Sequence, residues 1–235
     1  MQRLILIETS TALCSAAIAE NCVITAYRES SAPKAHASLT AVFIQEMLQE
    51  RGITLADCDA VCVSMGPGSY TGLRVGVSTA KGLCFGAGKP LIAVGTLDTL
   101  VAQAQVADQV GDPRFIIPMI DARRMEVYSA VFEIAGQAGN DAHQITETAP
   151  AIIDENSFAE YLEQGACLFI GDGAGKCADV IKHPNARFCQ CYPKASAMLS
   201  PAIQALNEKR FEDVAYFEPF YLKEFVATVS KKKMW

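Results

Sequence analysis

The sequence predicts an α/β protein of two lobes, each a mixed sheet flanked by helices. In its first part, three predicted strands are followed by a helix, and then by two strand–helix pairs. After the segment "VGDP" the pattern restarts with a buried strand that ends on a carboxylate, as the first strand does. The length of 235 residues suits two domains of roughly 100 residues each. We therefore expect lobes at 1–108 and 109–235, with a hinge near Gln105–Pro113.

Composition and charge indicate a globular cytoplasmic protein. The net charge is −6 and the pI about 5.1, whereas a surface that binds a polyanion unaided is usually basic. No run of about 18 apolar residues predicts a membrane span, and "MQRLILIETST" predicts a strand rather than a signal peptide. The nine cysteines lie mostly in apolar segments, which favours buried thiols in a reducing compartment, and their spacing fits no zinc module.

The first lobe opens with three strands. The segment "RLILIETS" is nearly all apolar, as a buried central strand is, and "CSAAIAEN" and "CVITAYRES" are separated by Glu20 and Asn21, which favour a tight turn. The segment "HASLTAVFIQEMLQERG" predicts a helix that Gly52 ends. Further along, "CDAVCVSMG" and "KPLIAVG" predict strands, and "TLDTLVAQAQVA" predicts a helix.

Between those strands stands "GPGSYTGLRVGVSTAKGL", residues 66–83. It begins like a loop that holds phosphate and continues as a helix, for which Ser69 or Thr71 could serve as N-cap. The helix contains several glycines, and each interior glycine costs about 1 kcal/mol relative to alanine. That cost is offset only where a neighbouring backbone comes close, so we expect this helix to form a contact surface.

The helix over residues 37–50 carries two apolar stripes that cover roughly 200–260° of its circumference, more than the ~100° that one core-facing side requires. Such a helix lies either between two layers of its own fold or against a partner. On the helix over 72–86, Arg74 and Lys81 either bind acidic groups or form surface ion pairs of little energetic value. The residues expected at a partner interface are Leu39, Val42, Phe43, Met47, Arg74, Gly76, Ala80 and Lys81.

The second lobe begins with "RFIIPMIDAR", a buried strand, followed by "EVYSAVFEIAG", an alternating strand with its turn. The segment "ENSFAEYLEQG" predicts a helix, "CLFIGDGAGK" a strand with a glycine turn, and "RFCQCYPK" another strand. The last helix, "SAMLSPAIQALNEKR" (about 197–210), carries Pro201 in its first turn. We expect it to pack back on the first lobe.

Five segments resemble the TsaB (formerly YeaZ) family of bacterial tRNA threonylcarbamoyladenosine biosynthesis proteins: "LIETSTALCSAAIAE", "GPGSYTGLRVGVSTAKGL", "DARRMEVY", "GDGAGK" and "PFYLKEFVA". The resemblance runs through most of the chain. It implies an actin-like ATPase fold (ASKHA, ribonuclease H-like) with two lobes around a cleft. It also implies a catalytic paralogue, TsaD, which transfers threonylcarbamoyl from threonylcarbamoyl-AMP to N6 of adenosine 37 in tRNAs that read ANN codons.

The resemblance further implies that this chain lacks the metal ligands of TsaD. TsaD carries His-x-x-x-His where this chain has "VGTLDTL", so Thr96 and Leu100 occupy the two ligand positions. A catalytic metal needs N, S or O donors, and the Leu100 side chain has none. The histidines of this chain, His36, His143 and His183, show no ligand spacing. We expect no catalysis, no metal and no resident cofactor.

The implied fold places a carboxylate at the end of each lobe's first strand. Here these are Glu8, with Ser10 beyond it, and Asp121; the longer glutamate would reach further into the cleft. Gly171 and Gly173 either admit an adenine or form a tight strand-to-helix turn, and we favour the turn. ATP or ADP is the ligand that such a cleft could hold.

These features predict a non-catalytic subunit that binds and stabilises a TsaD-like paralogue and helps to dock the ATPase TsaE. We expect a homodimer in isolation, contact with tRNA only within the complex, and no contact with membranes. The alternative is a nucleotide-dependent ATPase or phosphotransferase that acts alone; Arg123 argues against it, because glycine there would let backbone amides approach a phosphate. A peptidase, which is an older label of this family, is disfavoured as well. The segment "GPGSYTG" lacks the Gly-x-Ser-x-Gly motif of a nucleophile elbow.

Overall fold

The computed structural model describes residues 2–106, 112–135 and 141–223. Its first sheet has the order β3-β2-β1-β4-β5, with β1, β4 and β5 parallel and β2 antiparallel to both of its neighbours. The strands are β1 (Arg3–Glu8), β2 (Cys14–Glu20), β3 (Val23–Ser30), β4 (Ala60–Gly66) and β5 (Leu91–Gly95). The mixed pairing agrees with the predicted class.

Three helices accompany this sheet: α1 (Ala35–Arg51), α2 (Tyr70–Ala87) and α3 (Thr96–Val106), with a short 3₁₀ turn at Leu55–Asp57. Gly52 and Gly88 end α1 and α2 in the left-handed conformation, at φ of 65° and 63°. Ser69 is the N-cap of α2, since its side chain accepts a hydrogen bond from the Gly72 amide at 3.3 Å. One face of the sheet packs against α1 and α2.

The second sheet has seven strands and the order β10-β7-β6-β11-β12, with β8 paired to β6 and to β9. Its strands are β6 (Phe115–Asp121), β7 (Glu126–Ser129), β8 (Phe132–Ala135), β9 (Asp141–Gln144), β10 (Ala149–Ile152), β11 (Cys167–Gly171) and β12 (Ala186–Gln190). The helices are α4 (Ala159–Leu162), α5 (Ala174–Ala178) and α6 (Leu199–Asn207), the last preceded by a 3₁₀ turn at Ala195–Met198.

Two helices connect the lobes. The apolar side of α3 packs against β6 and β11 of the second sheet, where Leu100 lies fully buried beside Ile120 and Ile170. The α6 helix returns to the first sheet, and Ala202 and Ala205 are buried against its second face. Both faces of the first sheet are therefore covered by helices from this chain.

The hairpin between β2 and β3 differs from its prediction by one residue. It turns at Asn21 and Cys22, at φ of 50° and 64°, whereas Glu20 stays in the strand. The reason is electrostatic: the buried Glu20 carboxylate pairs with Arg3 and Arg51, at 2.8 Å each.

The second lobe departs further from the prediction. The segment predicted as one strand with its turn forms both β7 and β8, and β9 and β10 were not predicted. The predicted helix over "ENSFAEYLEQG" forms only the single turn α4. Part of the predicted hinge at Gln105–Pro113 and the lobe boundary at 108–109 lie outside the described residues. Within the described ranges, no helix combines the length and apolar character that a membrane span requires.

Candidate functional site

The α2 helix lies directly against the turn that follows β1. A Cβ atom added at Gly68 would lie within 3.0 Å of the Ser10 carbonyl oxygen, and one at Gly72 within 3.0 Å of the Thr9 carbonyl oxygen. At Gly76 it would collide with Oγ1 of Thr9, which is fully buried. Gly72 and Gly76 are four residues apart in α2, so they share one face of the helix, and Gly68 lies in the loop just before it. This face needs glycine because the backbone of the first lobe touches it.

The loop before α2 uses its polar groups within the chain. The Ser69 amide donates to the Ser10 carbonyl oxygen at 2.6 Å, and the Gly72 amide donates to the Ser69 side chain. A phosphate held here would need such amides free and pointing outward. The Ser69 and Gly72 amides are therefore engaged within the chain.

Glu8 does not reach into a cleft as predicted. Its carboxylate turns back, and Oε1 accepts a hydrogen bond from the Ser10 amide at 2.6 Å, while the Thr9 amide donates to Oγ of Ser64 at 3.3 Å. Both Glu8 and Ser10 are fully buried. Burial raises the pKa of Glu8 from 4.5 to about 7, although hydrogen bonds from Ser10 and Ser64 oppose this rise. Glu8 belongs to the interior of the first lobe.

The glycine turn of the second lobe is also filled by its own chain. Gly171 has a φ of 133°, and a Cβ there would lie within 3.0 Å of the Met119 carbonyl oxygen and of Leu100. The Gly173 amide donates to the same Met119 oxygen at 3.0 Å. The two glycines form a tight strand-to-helix turn that packs on β6.

Asp121 is occupied by neighbours of the same lobe. Its carboxylate forms an ion pair with Lys176 and accepts a hydrogen bond from the Arg123 amide at 2.8 Å. The Lys176 ammonium also donates to the carbonyl oxygens of Arg124 and Glu126, at 2.7 Å each. Asp121 therefore anchors the turn between β6 and β7.

The start of α3 carries no constellation that could ligate a metal. Thr96 and Leu100 are both fully buried, and Leu100 lies in the apolar cluster between α3 and the second sheet. Across the described ranges, no group of three or more histidine, cysteine, aspartate and glutamate side chains is arranged to hold a metal ion.

Part of the predicted partner interface is wrong. Phe43, Met47, Gly76 and Ala80 lie on the sides of α1 and α2 that face the first sheet, and they are buried in this chain's own core. The apolar pattern indicated burial correctly but could not tell an intramolecular layer from a partner. Of the other predicted residues, Leu39 is half-buried, while Val42 and Arg74 are exposed.

Lys81 binds this chain rather than acidic groups of another. Its ammonium donates to the carbonyl oxygens of Ala215 at 3.0 Å and Phe217 at 3.1 Å, in the segment after α6 that runs along α2. Further along that segment, the Phe220 amide donates to the Met65 carbonyl oxygen at 2.7 Å. The C-terminal segment thus forms one flank of α2.

The outward side of α2 was missed by the sequence prediction. Phe85 is 86% exposed, the largest exposed fraction among the large hydrophobic residues of the described chain, and Cβ atoms at Gly82 and Gly86 would meet open space. On α1, Val42 is 40% exposed. The recurrence of Ser78, Gly82 and Phe85 at spacings of four and three residues was the available signal. Together these residues give the helix layer an outer surface of small side chains around one aromatic ring.

Comparison with known proteins establishes the family. The sequence profile of the family described as TsaD, tRNA N6-adenosine threonylcarbamoyltransferase, matches residues 29–231. The tRNA threonylcarbamoyladenosine biosynthesis protein TsaB of Escherichia coli strain K12 is 31% identical over 230 residues, which is 96% of each chain. The chain belongs to the TsaB family. The predicted resemblance is thereby confirmed.

Solved structures agree with this assignment. A structure described as YeaZ from Pseudomonas aeruginosa superposes with a TM-score of 0.81 at 25% identity, covering 94% of this chain and 100% of that one. A tRNA N6-adenosine threonylcarbamoyltransferase from Erythrobacter litoralis is 40% identical over 77 residues, 33% of this chain and 22% of that protein. The TsaB-family chain has the predicted architecture of two mixed sheets flanked by helices.

Two glycines on different sides of α2 predict opposite effects of the same substitution. Gly76→Ala should lower the free energy of unfolding by about 1–3 kcal/mol, because its methyl group meets Thr9 in a closed space. Gly82→Ala, in the same helix but facing open space, should raise it by about 0.5–1 kcal/mol. Urea unfolding of both variants checks this, and equal effects at the two positions would contradict it.

The buried Glu8 predicts a stability that falls with rising pH. Its pKa is about 7 in the folded protein against 4.5 ordinarily, so the folded state holds a proton that the unfolded chain releases. The stabilisation is complete below pH 4.5 and is lost as the pH rises through 7. Between pH 5 and 8, the free energy of unfolding of the wild type should fall by about 2 kcal/mol more than that of Glu8→Gln, as measured by urea unfolding. The exposed Glu163→Gln is the control, and a Glu8→Gln curve parallel to wild type would refute the prediction.

Proposed function

We propose that this chain is the non-catalytic subunit of the complex that transfers threonylcarbamoyl from threonylcarbamoyl-AMP to N6 of adenosine 37 in tRNAs that read ANN codons. In this role it binds and stabilises a TsaD-like catalytic paralogue and helps to dock a TsaE-like ATPase. A part in tRNA threonylcarbamoyladenosine formation is supported by the names of the TsaB proteins that it resembles.

The observation that carries the non-catalytic role is the environment of Leu100. The resemblance assigns a metal ligand of TsaD to this position, whereas here an apolar side chain fills it and is buried against Ile120 and Ile170. A metal bound there would need a donor atom and space, and this residue supplies neither. The other alternative, a phosphotransferase that acts alone, is disfavoured by the Ser69 amide, which donates to Ser10.

The outer surface of α1 and α2 is the proposed partner interface. Val42, Gly82 and Phe85 are accessible there, and small residues around an aromatic ring allow another helix pair to approach closely. Leu39 and Arg74 lie on the same two helices, and we keep them in the interface. In isolation, a homodimer would cover the same surface.

Substitution of Phe85 tests this interface. Phe85→Glu should abolish co-purification with the TsaD-like paralogue, or weaken binding at least about 10-fold, because a charge replaces the exposed aromatic anchor. Ile152→Glu is the matched control, since Ile152 is 79% exposed on β10 of the other lobe. Both variants should keep the melting temperature of wild type. Equal retention of the paralogue by the two variants would argue against this surface.

Depletion of the protein tests the function itself. In cells that lack it, mass spectrometry of tRNA nucleosides should show loss of threonylcarbamoyladenosine, because the catalytic paralogue would lack its partner. Complementation with wild type should restore the nucleoside, whereas Phe85→Glu should not. An unchanged amount of threonylcarbamoyladenosine after depletion would overturn the proposal.

A further inference from the structure

A line of cationic and aromatic side chains joins the start of α2 to the turn between β6 and β7. It passes from the first lobe to the second along the C-terminal segment. We call it the basic–aromatic strip, and its residues are Arg74, Tyr70, Tyr221, Lys223, Tyr128, Arg123 and Arg124. All four cationic residues are exposed, and the three tyrosines are half-buried.

Contacts between rings and cations order the strip. The Arg74 guanidinium carbon lies 4.4 Å from the ring centroid of Tyr70, and the Tyr70 and Tyr221 rings are 4.7 Å apart between centroids. The Lys223 ammonium lies 5.8 Å from the ring centroid of Tyr128. Such contacts hold long cationic side chains in place, which lowers the entropy that they lose when a ligand binds.

Arg123 and Arg124 form the exposed end of the strip in an unusual backbone conformation. Their φ angles are 70° and 52°, a region that costs a residue with a Cβ about 1 kcal/mol or more. Lys176 stabilises this turn through the Arg124 carbonyl oxygen and the Asp121 carboxylate. Two consecutive arginines therefore occupy a backbone conformation in which glycine or asparagine would be less strained.

The strip keeps an excess of positive charge. Within the described residues, no carboxylate forms an ion pair with the guanidinium group of Arg74, Arg123 or Arg124. Lys223 pairs with Glu126, and the Asp121 carboxylate contacts the strip through the Arg123 amide and pairs with Lys176. Burial raises the pKa of Tyr128, the charges of Lys223 and Arg123 oppose this rise, and the charge of Glu126 adds to it.

We propose that the basic–aromatic strip binds the phosphate backbone of tRNA when the complex is assembled. The inference rests on the proposed function, since the names of the relatives identify tRNA as the substrate of the pathway. Unpaired arginines beside tyrosines are the chemistry that recognises RNA phosphates and adjacent bases. The net charge of −6 makes the isolated chain a weak ligand, so the strip adds to the affinity of a site formed mainly by other subunits.

The test measures binding of an unmodified tRNA transcript with an ANN-reading anticodon to the reconstituted complex, by fluorescence anisotropy at several salt concentrations. Arg123→Gln combined with Arg124→Gln should raise Kd about 3- to 30-fold near 0.1 M salt and reduce the slope of log Kd against log salt by about 2. Arg123→Lys combined with Arg124→Lys should keep most of the affinity, because the charge is retained.

The matched control is Arg28→Gln combined with Arg210→Gln, which removes the same charge from β3 and from the end of α6. It should change Kd less than about twofold. Equal effects of the two Gln pairs, or an unchanged salt slope, would overturn the proposal, and so would unchanged tRNA binding with weakened assembly, which would indicate a protein partner. If the Arg123 and Arg124 variants do not fold, Lys223→Gln decides the question by the same criteria, because Arg74 also belongs to the proposed partner interface.

Assembly is measured separately by gel filtration. If the wild-type chain does not assemble with the TsaD-like paralogue, the proposed function fails, and the strip proposal, which rests on it, fails with it. If assembly is intact and only the tRNA measurements are unaffected, the strip proposal fails alone.

Discussion

The close approach of α2 to the turn after β1 is the constraint on which the rest of the structure depends. Three residues without a Cβ, Gly68, Gly72 and Gly76, let the helix lie on the backbone of Thr9 and Ser10. The same contact buries one side of α2 against the first sheet and turns the side with Phe85 outward. The outer surface of the protein therefore follows from a packing requirement in its interior.

Close backbone contacts also shape the glycine turns of both lobes. In the first lobe the Ser10 carbonyl oxygen takes the Ser69 amide, and in the second lobe the Met119 carbonyl oxygen takes the Gly173 amide. In each lobe a backbone carbonyl group thus accepts one amide of the glycine loop. Leu100 then fills the space between the lobes with an apolar side chain. These hydrogen bonds and the burial of Leu100 stabilise the chain itself.

The C-terminal segment links these features. It runs along α2, where Lys81 binds its carbonyl groups, and continues to the second lobe, where Lys223 meets Glu126. Gly66 has a φ of 111°, and a Cβ there would collide with the Phe220 carbonyl oxygen, so this glycine admits the segment to the edge of the first sheet. One stretch of chain thereby places groups of both lobes in a single line on the surface.

The amino-acid sequence by itself determined the fold class, the family and most elements of the first lobe. The regular spacing of apolar residues, the glycines that end helices and the N-cap Ser69 are local signals. Each depends only on residues within one or two helical turns. The four-residue strands β9 and β10 carried no comparable signal: β9 pairs with the neighbouring β8, and β10 pairs with β7 about 20 residues earlier, so pairing contacts rather than local pattern define both.

The tertiary structure alone decided which way each functional side chain faces. From the sequence, Gly76 was expected at the partner interface and Gly82 was not, yet Gly76 meets the buried Thr9 and Gly82 meets open space. Glu8 and Asp121 were equivalent carboxylates at strand ends, yet one is buried and the other pairs with Lys176. The spacing of apolar residues indicates that a helix has two different sides. Only the packing of segments distant in sequence determines which side is buried.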